Sequence, residues 1–232
     1  MTEAAIFDFY GTLARAVSWG PELGEVLAAL GHRLDAGAYE AWRAEVTDGM
    51  EHGPESQSRD SYLAWERDRL RRLAAASGVG PVDLDVVAAE LHRATSDFRL
   101  AAYEEVPDVL AELRRRGVVV AVCSNWTWDL DRALDQAGLA DAVDVVVTSA
   151  QAGVRKPHPG IFRLAVERCG VAPARAVFAG DTWVPDVEGA LAAGLRPVHV
   201  WRADGSGTAA GPPPLPKGVS RVEDLRGVLE LA

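Results

Sequence analysis

The chain has 232 residues, 48% of them hydrophobic, with 34 Asp and Glu against 24 Lys and Arg for a formal net charge of −10. A chain of this length can bury a substantial core, as one large domain or as a core with a smaller insert. Its acidic balance argues against non-specific nucleic-acid binding, which needs clustered Lys and Arg on the phosphates. No run approaches the roughly 18 to 20 apolar residues of a membrane span, and no charged and apolar leader opens the chain. The two cysteines, Cys123 and Cys169, are too few for a disulfide framework and lack metal-ligand spacing. The expectation is a cytoplasmic protein with neither nucleic-acid nor membrane partners.

The first informative stretch runs from Ala4 to Leu13, Ala-Ala-Ile-Phe-Asp-Phe-Tyr-Gly-Thr-Leu. An apolar run broken by Gly11 reads as a buried strand that delivers Asp8 to the carboxyl edge of a sheet, where open α/β folds place their ligands. Residues 15 to 105 read as helices over Pro21 to Leu30, Ala38 to Met50, Arg59 to Ser77 and Leu84 to Phe98, with breaks at Gly31, Gly53-Pro54 and Gly78 to Pro81. No strand-like run interrupts them. From Val118 the pattern alternates: strand to Cys123, helix over Thr127 to Ala137, strand Val143 to Val147, helix Pro159 to Cys169, strand Ala176 to Ala179, helix Pro185 to Ala193 and strand Pro197 to Trp201. Short apolar strands alternating with helices imply parallel pairing. The expected fold is therefore α/β, a doubly wound parallel sheet with an inserted helical block. Asp204 to Lys217 is rich in Gly and Pro and reads as a surface loop, and Val219 to Ala232 as a last short strand and a closing helix.

Each strand of the α/β part ends in a polar residue where the sheet opens. Asp8 ends the first, Ser124 and Asn125 the second, Gly180 and Asp181 a later one, and Lys156 sits in the loop before a helix. Nucleophile, hydroxyl, cation and carboxylate therefore converge on one site. Asp186, beside Pro185 in a first helical turn, is also a residue expected there for helix reasons alone.

These residues occupy the four motif positions of the haloacid dehalogenase (HAD) superfamily, which the chain resembles over nearly its whole length. Asp8-Phe9-Tyr10-Gly11-Thr12 resembles the first motif, D-x-D-G-T, with Tyr10 in place of the second Asp. Ser124 resembles the second motif, Lys156 in Arg155 to Pro159 the third, and Gly180 to Asp186 the fourth in its G-D-x-x-x-x-D form. The resemblance implies a Rossmann-like core over residues 1–14 and 106–232 and a small α-helical cap domain over residues 15–105, hinged to close over the site as a lid. It implies a hydrolase of a small anionic substrate with a covalent intermediate on Asp8. Lys156 would neutralise charge beside Asp8, and Ser124 would hold substrate oxygens. Gly11, Thr12, Asn125, Trp126 and Trp183 would line the substrate, together with Arg43, which with Trp42 resembles the Trp-Arg pair of dehalogenase caps. Mg²⁺ would be held by Asp8, the Tyr10 backbone carbonyl, Asp181 and Asp186, a hard oxygen set of the kind that ion selects.

Tyr10 divides the functional readings. Phosphatases of the family use the second Asp of the first motif as general acid and base, and a phenol with a pKa near 10 is a poor base at neutral pH. The 2-haloacid dehalogenases of the family carry Tyr there, since halide leaves without a proton, but they lack the acidic pair kept here as Asp181 and Asp186. The leading expectation is a Mg²⁺-dependent phosphatase of a small phosphorylated metabolite. The alternatives are a metal-independent 2-haloacid dehalogenase, and a HAD-fold binding protein with little or no turnover.

Overall fold

The computed structural model describes residues 2–202 and 213–232; residues 204–212 of the expected Gly/Pro surface loop lie outside them. The described chain divides into two compact units. The first comprises residues 1–15, 48–51 and 100–232, and the second residues 16–47 and 52–99.

The first unit is built on a parallel sheet. Its strands are β1 (Ala4–Phe7), β4 (Val119–Ser124), β5 (Val145–Thr148), β6 (Ala176–Gly180), β7 (Arg196–Val200) and β8 (Ser220–Val222), in the spatial order β5-β4-β1-β6-β7-β8. Every pairing is parallel, with Phe7 opposite Val122 on one side and Ala179 on the other. β1 and β6 are buried along their whole lengths. That is why they read as continuous apolar runs rather than alternating ones: a central parallel strand is covered on both faces. After β5 the chain returns past β1 to lay β6 on its other side. The reversal puts the ends of β1, β4 and β6 side by side, at the point where such sheets leave a crevice.

Helices α5 (Val106–Arg115) and α8 (Pro159–Cys169) pack on this sheet. α5 buries Val106, Val109, Leu110 and Leu113, the i, i+3, i+4, i+7 stripe of an amphipathic helix. α8 opens on Pro159, whose missing N–H loses nothing in a first turn, and closes on Gly170 at φ 69°, a left-handed cap that glycine adopts without strain. It carries Ile161, Phe162, Ala165 and Val166 into the core beside Ile6, Cys123 and Phe178. The Phe162 and Phe178 rings meet edge to face, with centroids 5.1 Å apart.

The second unit is helical: α1 (Leu23–Ala29), α2 (Ala36–Ala44), α3 (Arg59–Ala76) and α4 (Leu84–Thr95). Asp35 and Ser58 cap α2 and α3 by accepting from the amides of Ala38 and Ser61. Leu23, Leu27, Leu70, Leu73, Val87 and Leu91 form its core. Trp42 and Trp65 flank the Arg69 guanidinium, at 4.9 and 4.7 Å from the ring centroids.

Three expectations are corrected. Strands β2 (Ala14–Trp19) and β3 (Phe98–Ala102) form a two-stranded sheet where no strand was expected. β2 is largely exposed, so it carries no apolar alternation and is made by its partner rather than by its own pattern. α2 ends at Ala44 rather than near Met50, because residues 48–51 pair elsewhere. The Gly49 amide donates to the Lys156 carbonyl, the Arg155 amide donates to the Met50 carbonyl, and Glu51 bridges to Val154. The helix expected over Pro185 to Ala193 is a wide π-turn, Trp183–Glu188, followed by the short α9 (Gly189–Ala192). The expected last short strand and closing helix are present as β8 and a 3₁₀ helix over Leu225–Glu230.

Phe162 fills the layer between α8 and the sheet. Phe162→Ala is expected to lower unfolding stability by about 3 to 5 kcal/mol, through lost burial and the cavity left behind, measured by urea denaturation.

Candidate active site

The carboxyl ends of β1, β4 and β6 deliver three of the residues singled out by sequence. Asp8 follows β1, Ser124 is the last residue of β4, and Asp181 follows Gly180 at the end of β6. The loop from α7 (Ser149–Ala152) to α8 brings Lys156 to the same point, and the π-turn brings Asp186. Ser124 Oγ donates to Asp8 Oδ1 at 2.9 Å. Lys156 Nζ donates to Asp8 Oδ1 and to Asp186 Oδ1, both at 2.6 Å. Both of these bonds to Asp8 use Oδ1. Lys156 is only 2% exposed, so its ammonium is a buried cation between two carboxylates and not a solvated loop lysine.

Two glycines make the close approach possible. Gly11 sits at φ 88°, and a Cβ there would lie 2.5 Å from Asp181 Oδ2; a Cβ at Gly180 would lie 2.4 Å from Asp186 Cγ. Any larger residue would push these carboxylates away. Asp181 Oδ1 accepts from the Thr12 hydroxyl at 3.0 Å, and Asp186 Oδ2 accepts from the Thr182 amide at 3.0 Å. Gly11 and Thr12 therefore shape the place of Asp181.

The charges do not balance. Asp8, Asp181 and Asp186 each present a carboxylate oxygen within 4.8 Å of the others, facing the single ammonium of Lys156. Burial, and then the Asp8 charge, raise the Asp181 carboxyl to about 6, against a lesser lowering by the Thr12 hydroxyl. Burial raises Asp186 as well, with Lys156 opposing it. Burial alone would lower Lys156, but Asp186 and Asp8 more than reverse this, so it stays charged. A cluster of hard oxygens with excess negative charge fits a divalent cation such as Mg²⁺.

The remaining expected residues have other surroundings. The Asn125 carboxamide is committed to Lys156: the Lys156 amide donates to Asn125 Oδ1 at 2.7 Å, and Asn125 Nδ2 donates to the Lys156 carbonyl at 3.0 Å and to Asp48 Oδ1 at 3.2 Å. It positions the lysine. The Trp126 ring packs edge-on against Phe9, with centroids 5.4 Å apart. Trp183 lies edge-on to His199 at 5.2 Å, and its indole donates to Glu188 Oε1. Tyr10 is 40% exposed on the turn after Asp8. Arg43 lies on α2 of the second unit, 3.8 Å from Glu40, and is not part of the cluster that the first unit assembles.

Sequence reasoning missed His199. Its Nε2 lies 3.2 Å from the Asp181 carbonyl, while Arg221 Nε donates to its Nδ1 at 3.0 Å. An arginine always donates, so Nδ1 accepts and Nε2 carries the proton to the Asp181 carbonyl. Burial, and then Arg221, lower the His199 pKa, which keeps this neutral tautomer. Only the pairing of β7 with β8, which sets His199 opposite Arg221, brings the two together, and no local motif signals it.

Comparison with known proteins agrees with this geometry. A family profile described as haloacid dehalogenase-like hydrolase matches residues 2–194. The chain is 37% identical over 180 residues to a phosphoserine phosphatase of Thermus thermophilus, covering 75% of this chain and 66% of that protein. It is 32% identical over 217 residues to a ribulose-1,5-bisphosphate 5-phosphatase of Halopiger xanaduensis, covering 85% of this chain and 84% of that protein. Its fold is similar to the crystal structure of a 2-haloacid dehalogenase from Pseudomonas syringae pv. Tomato, with a TM-score of 0.63 at 21% identity over 100% of this chain and 98% of that one. A parallel sheet with Asp8, Ser124, Lys156 and Asp181 at its open edge, and a family match across most of its length, make this chain a member of the haloacid dehalogenase-like hydrolase family.

Proposed function

We propose that this hydrolase is a Mg²⁺-dependent phosphatase of a small phosphorylated metabolite, working through a covalent phosphoryl intermediate on Asp8. The observation that carries the reading is the carboxylate cluster. Asp181 and Asp186 stand beside Asp8 with one ammonium among them, an arrangement that a metal-free dehalogenase does not need. The phosphatase names of relatives such as the Thermus and Halopiger proteins support the same substrate class.

In this mechanism Asp8 Oδ2 attacks phosphorus, a bond forms from Asp8 to phosphorus, and the bond to the leaving alkoxide breaks. Water then attacks the phosphorus of the aspartyl-phosphate, releasing phosphate and restoring the carboxylate. Lys156 and Ser124 hold Asp8 through Oδ1, which points the other oxygen outward and offsets the charge gathered at the site. Asp8, Asp181, Asp186 and the Tyr10 carbonyl are the groups that would hold the metal. When bound, Mg²⁺ supplies positive charge to substrate oxygens.

Tyr10 favours a second reading, the 2-haloacid dehalogenase, because it removes the carboxylate that protonates a leaving oxygen. In a phosphatase the phenol can donate to that oxygen but serves poorly as a base. Trp126 and Trp183, at the ends of the strands, are the candidate apolar walls of the substrate site. Arg43 is the candidate cation for a substrate carboxylate in the dehalogenase reading.

Turnover of p-nitrophenyl phosphate with Mg²⁺, against 2-chloropropionate without it, separates the two readings. Asp8→Asn is expected to stay folded and to retain less than about one per cent of wild-type turnover of either substrate. Retention of wild-type activity would remove Asp8 as nucleophile. In the phosphatase reading Tyr10→Asp restores the missing proton transfer, so kcat on alkyl phosphates is expected to rise by about 10². Turnover of p-nitrophenyl phosphate, whose leaving group needs little help, should change far less.

The raised Asp181 pKa has a sign. Between its ordinary value of 3.8 and about 6 the folded metal-free protein holds a proton that the unfolded chain has released. Stability must therefore fall as pH rises through that window. Relative to Asp181→Asn, metal-free wild type is expected to lose thermal stability from about pH 4 to about pH 6. Mg²⁺ should protect it more at pH 7.5 than at pH 5, because protons no longer compete for the ligand. Calorimetry across pH with and without EDTA reads both effects.

A further inference from the structure

Just past β7 the side chain of Arg202 is buried, 7% exposed, and takes no part in the carboxylate cluster. One guanidinium nitrogen donates to the Thr12 carbonyl at 2.7 Å. Another pairs with Glu105 Oε1 at 2.8 Å, both side chains being 6% exposed. The guanidinium carbon lies 3.5 Å from the centroid of the Tyr103 ring. The Tyr103 amide in turn donates to the Leu13 carbonyl, the neighbour of the one Arg202 holds. Both groups hold successive carbonyls of the loop that follows Asp8.

That loop needs a grip. Gly11 at φ 88° has no Cβ to restrict it; the loop's own bonds run from the Gly11, Leu13 and Ala14 amides to the Ala14 and Phe9 carbonyls, and the Thr12 carbonyl is held by Arg202 instead. Thr12 follows at once, and its hydroxyl is the donor to Asp181 Oδ1. Rotation of the Thr12 backbone would withdraw that hydroxyl. Burying an ion pair for stability alone is a poor solution, since apolar replacements of similar volume are often as stable or more so. A planar guanidinium can meet a carbonyl and a carboxylate in fixed directions while stacking on a ring, and an ammonium cannot.

We propose that Arg202 is a positioning residue for the catalytic centre: by fixing the Thr12 carbonyl, it sets the Thr12 hydroxyl on Asp181. The kinetic consequence rests on the phosphatase reading, whereas the tether itself does not.

The test uses the full chain carrying Arg202→Lys, which leaves Glu105 with a charged partner, and the double variant Arg202→Met with Glu105→Leu, which leaves no unpaired buried charge. Hydrogen exchange is followed at residues 9–14, where the Gly11, Leu13 and Ala14 amides are bonded within the loop. Both variants should show about tenfold faster exchange there, with α8 unchanged. With Mg²⁺ and p-nitrophenyl phosphate, kcat should fall about tenfold or more while KM moves less than about twofold, as misplacement of a reacting centre predicts. Half-saturation by Mg²⁺ should shift upward. Unchanged exchange at residues 9–14, or a folded double variant with wild-type kcat, would overturn the proposal. If wild type has no Mg²⁺-dependent phosphatase turnover, the functional reading fails by itself, and the exchange data still decide the tether. Should the double variant not fold, Arg202→Lys carries both readouts.

Discussion

The contact on which this site depends is the buried ammonium of Lys156, held between Asp8 and Asp186 at 2.6 Å from each. Charges taken out of water are tolerated only when paired and hydrogen-bonded. Asp8 at the buried end of β1 and Asp186 in the buried π-turn are tolerated because Lys156 is there, and Lys156 can be buried because they are. The pairing also consumes one Asp8 oxygen, so it orients the other. Stability and chemistry are therefore set by the same three side chains, and the remaining excess negative charge marks where a cation belongs.

The backbone around this triad is arranged to keep it in place. Lys156 is clamped through its own peptide groups, by the Asn125 carboxamide on both sides and by the Gly49 amide. Asn125 and a four-residue segment far away in sequence thus both support one lysine. Gly11 and Gly180 act by what they lack, since a Cβ at either would occupy the space of a carboxylate. His199, its tautomer fixed by Arg221, completes the frame by binding the Asp181 carbonyl. Catalysis by positioned charge requires such precision from the groups around the charged cluster as well as from the cluster itself.

Within this frame Tyr10 is the informative departure. The scaffold keeps the Asp8, Ser124 and Lys156 cluster, but the residue two places after Asp8 is a partly exposed phenol rather than a carboxylate. In the proposed mechanism, binding and nucleophilic attack would be local to Asp8, Ser124 and Lys156, whereas leaving-group protonation would be a separate function. One side chain can therefore alter which bonds are broken without disturbing the fold.

The sequence by itself determined the alternation of apolar runs and helices, and with it the parallel sheet, because a strand buried on both faces must be apolar along its length. It also determined the strand-end residues Asp8, Ser124 and Asp181, since a polar residue at the end of such a run has few other reasons to be there, and Lys156 in the loop before a helix. Tertiary structure alone decided what depends on partners. β2 and β3 have no apolar pattern of their own and exist only as a pair. Residues 48–51 leave their helical neighbourhood to bond residues 154–156. Asn125 bonds both peptide groups of Lys156 because the fold brings that lysine within its reach, and Arg202, Glu105, His199 and Arg221 carry no local signal at all. A buried hydrogen bond or ion pair between residues far apart in the chain is specified by the packing of whole elements, and no short stretch of sequence encodes it.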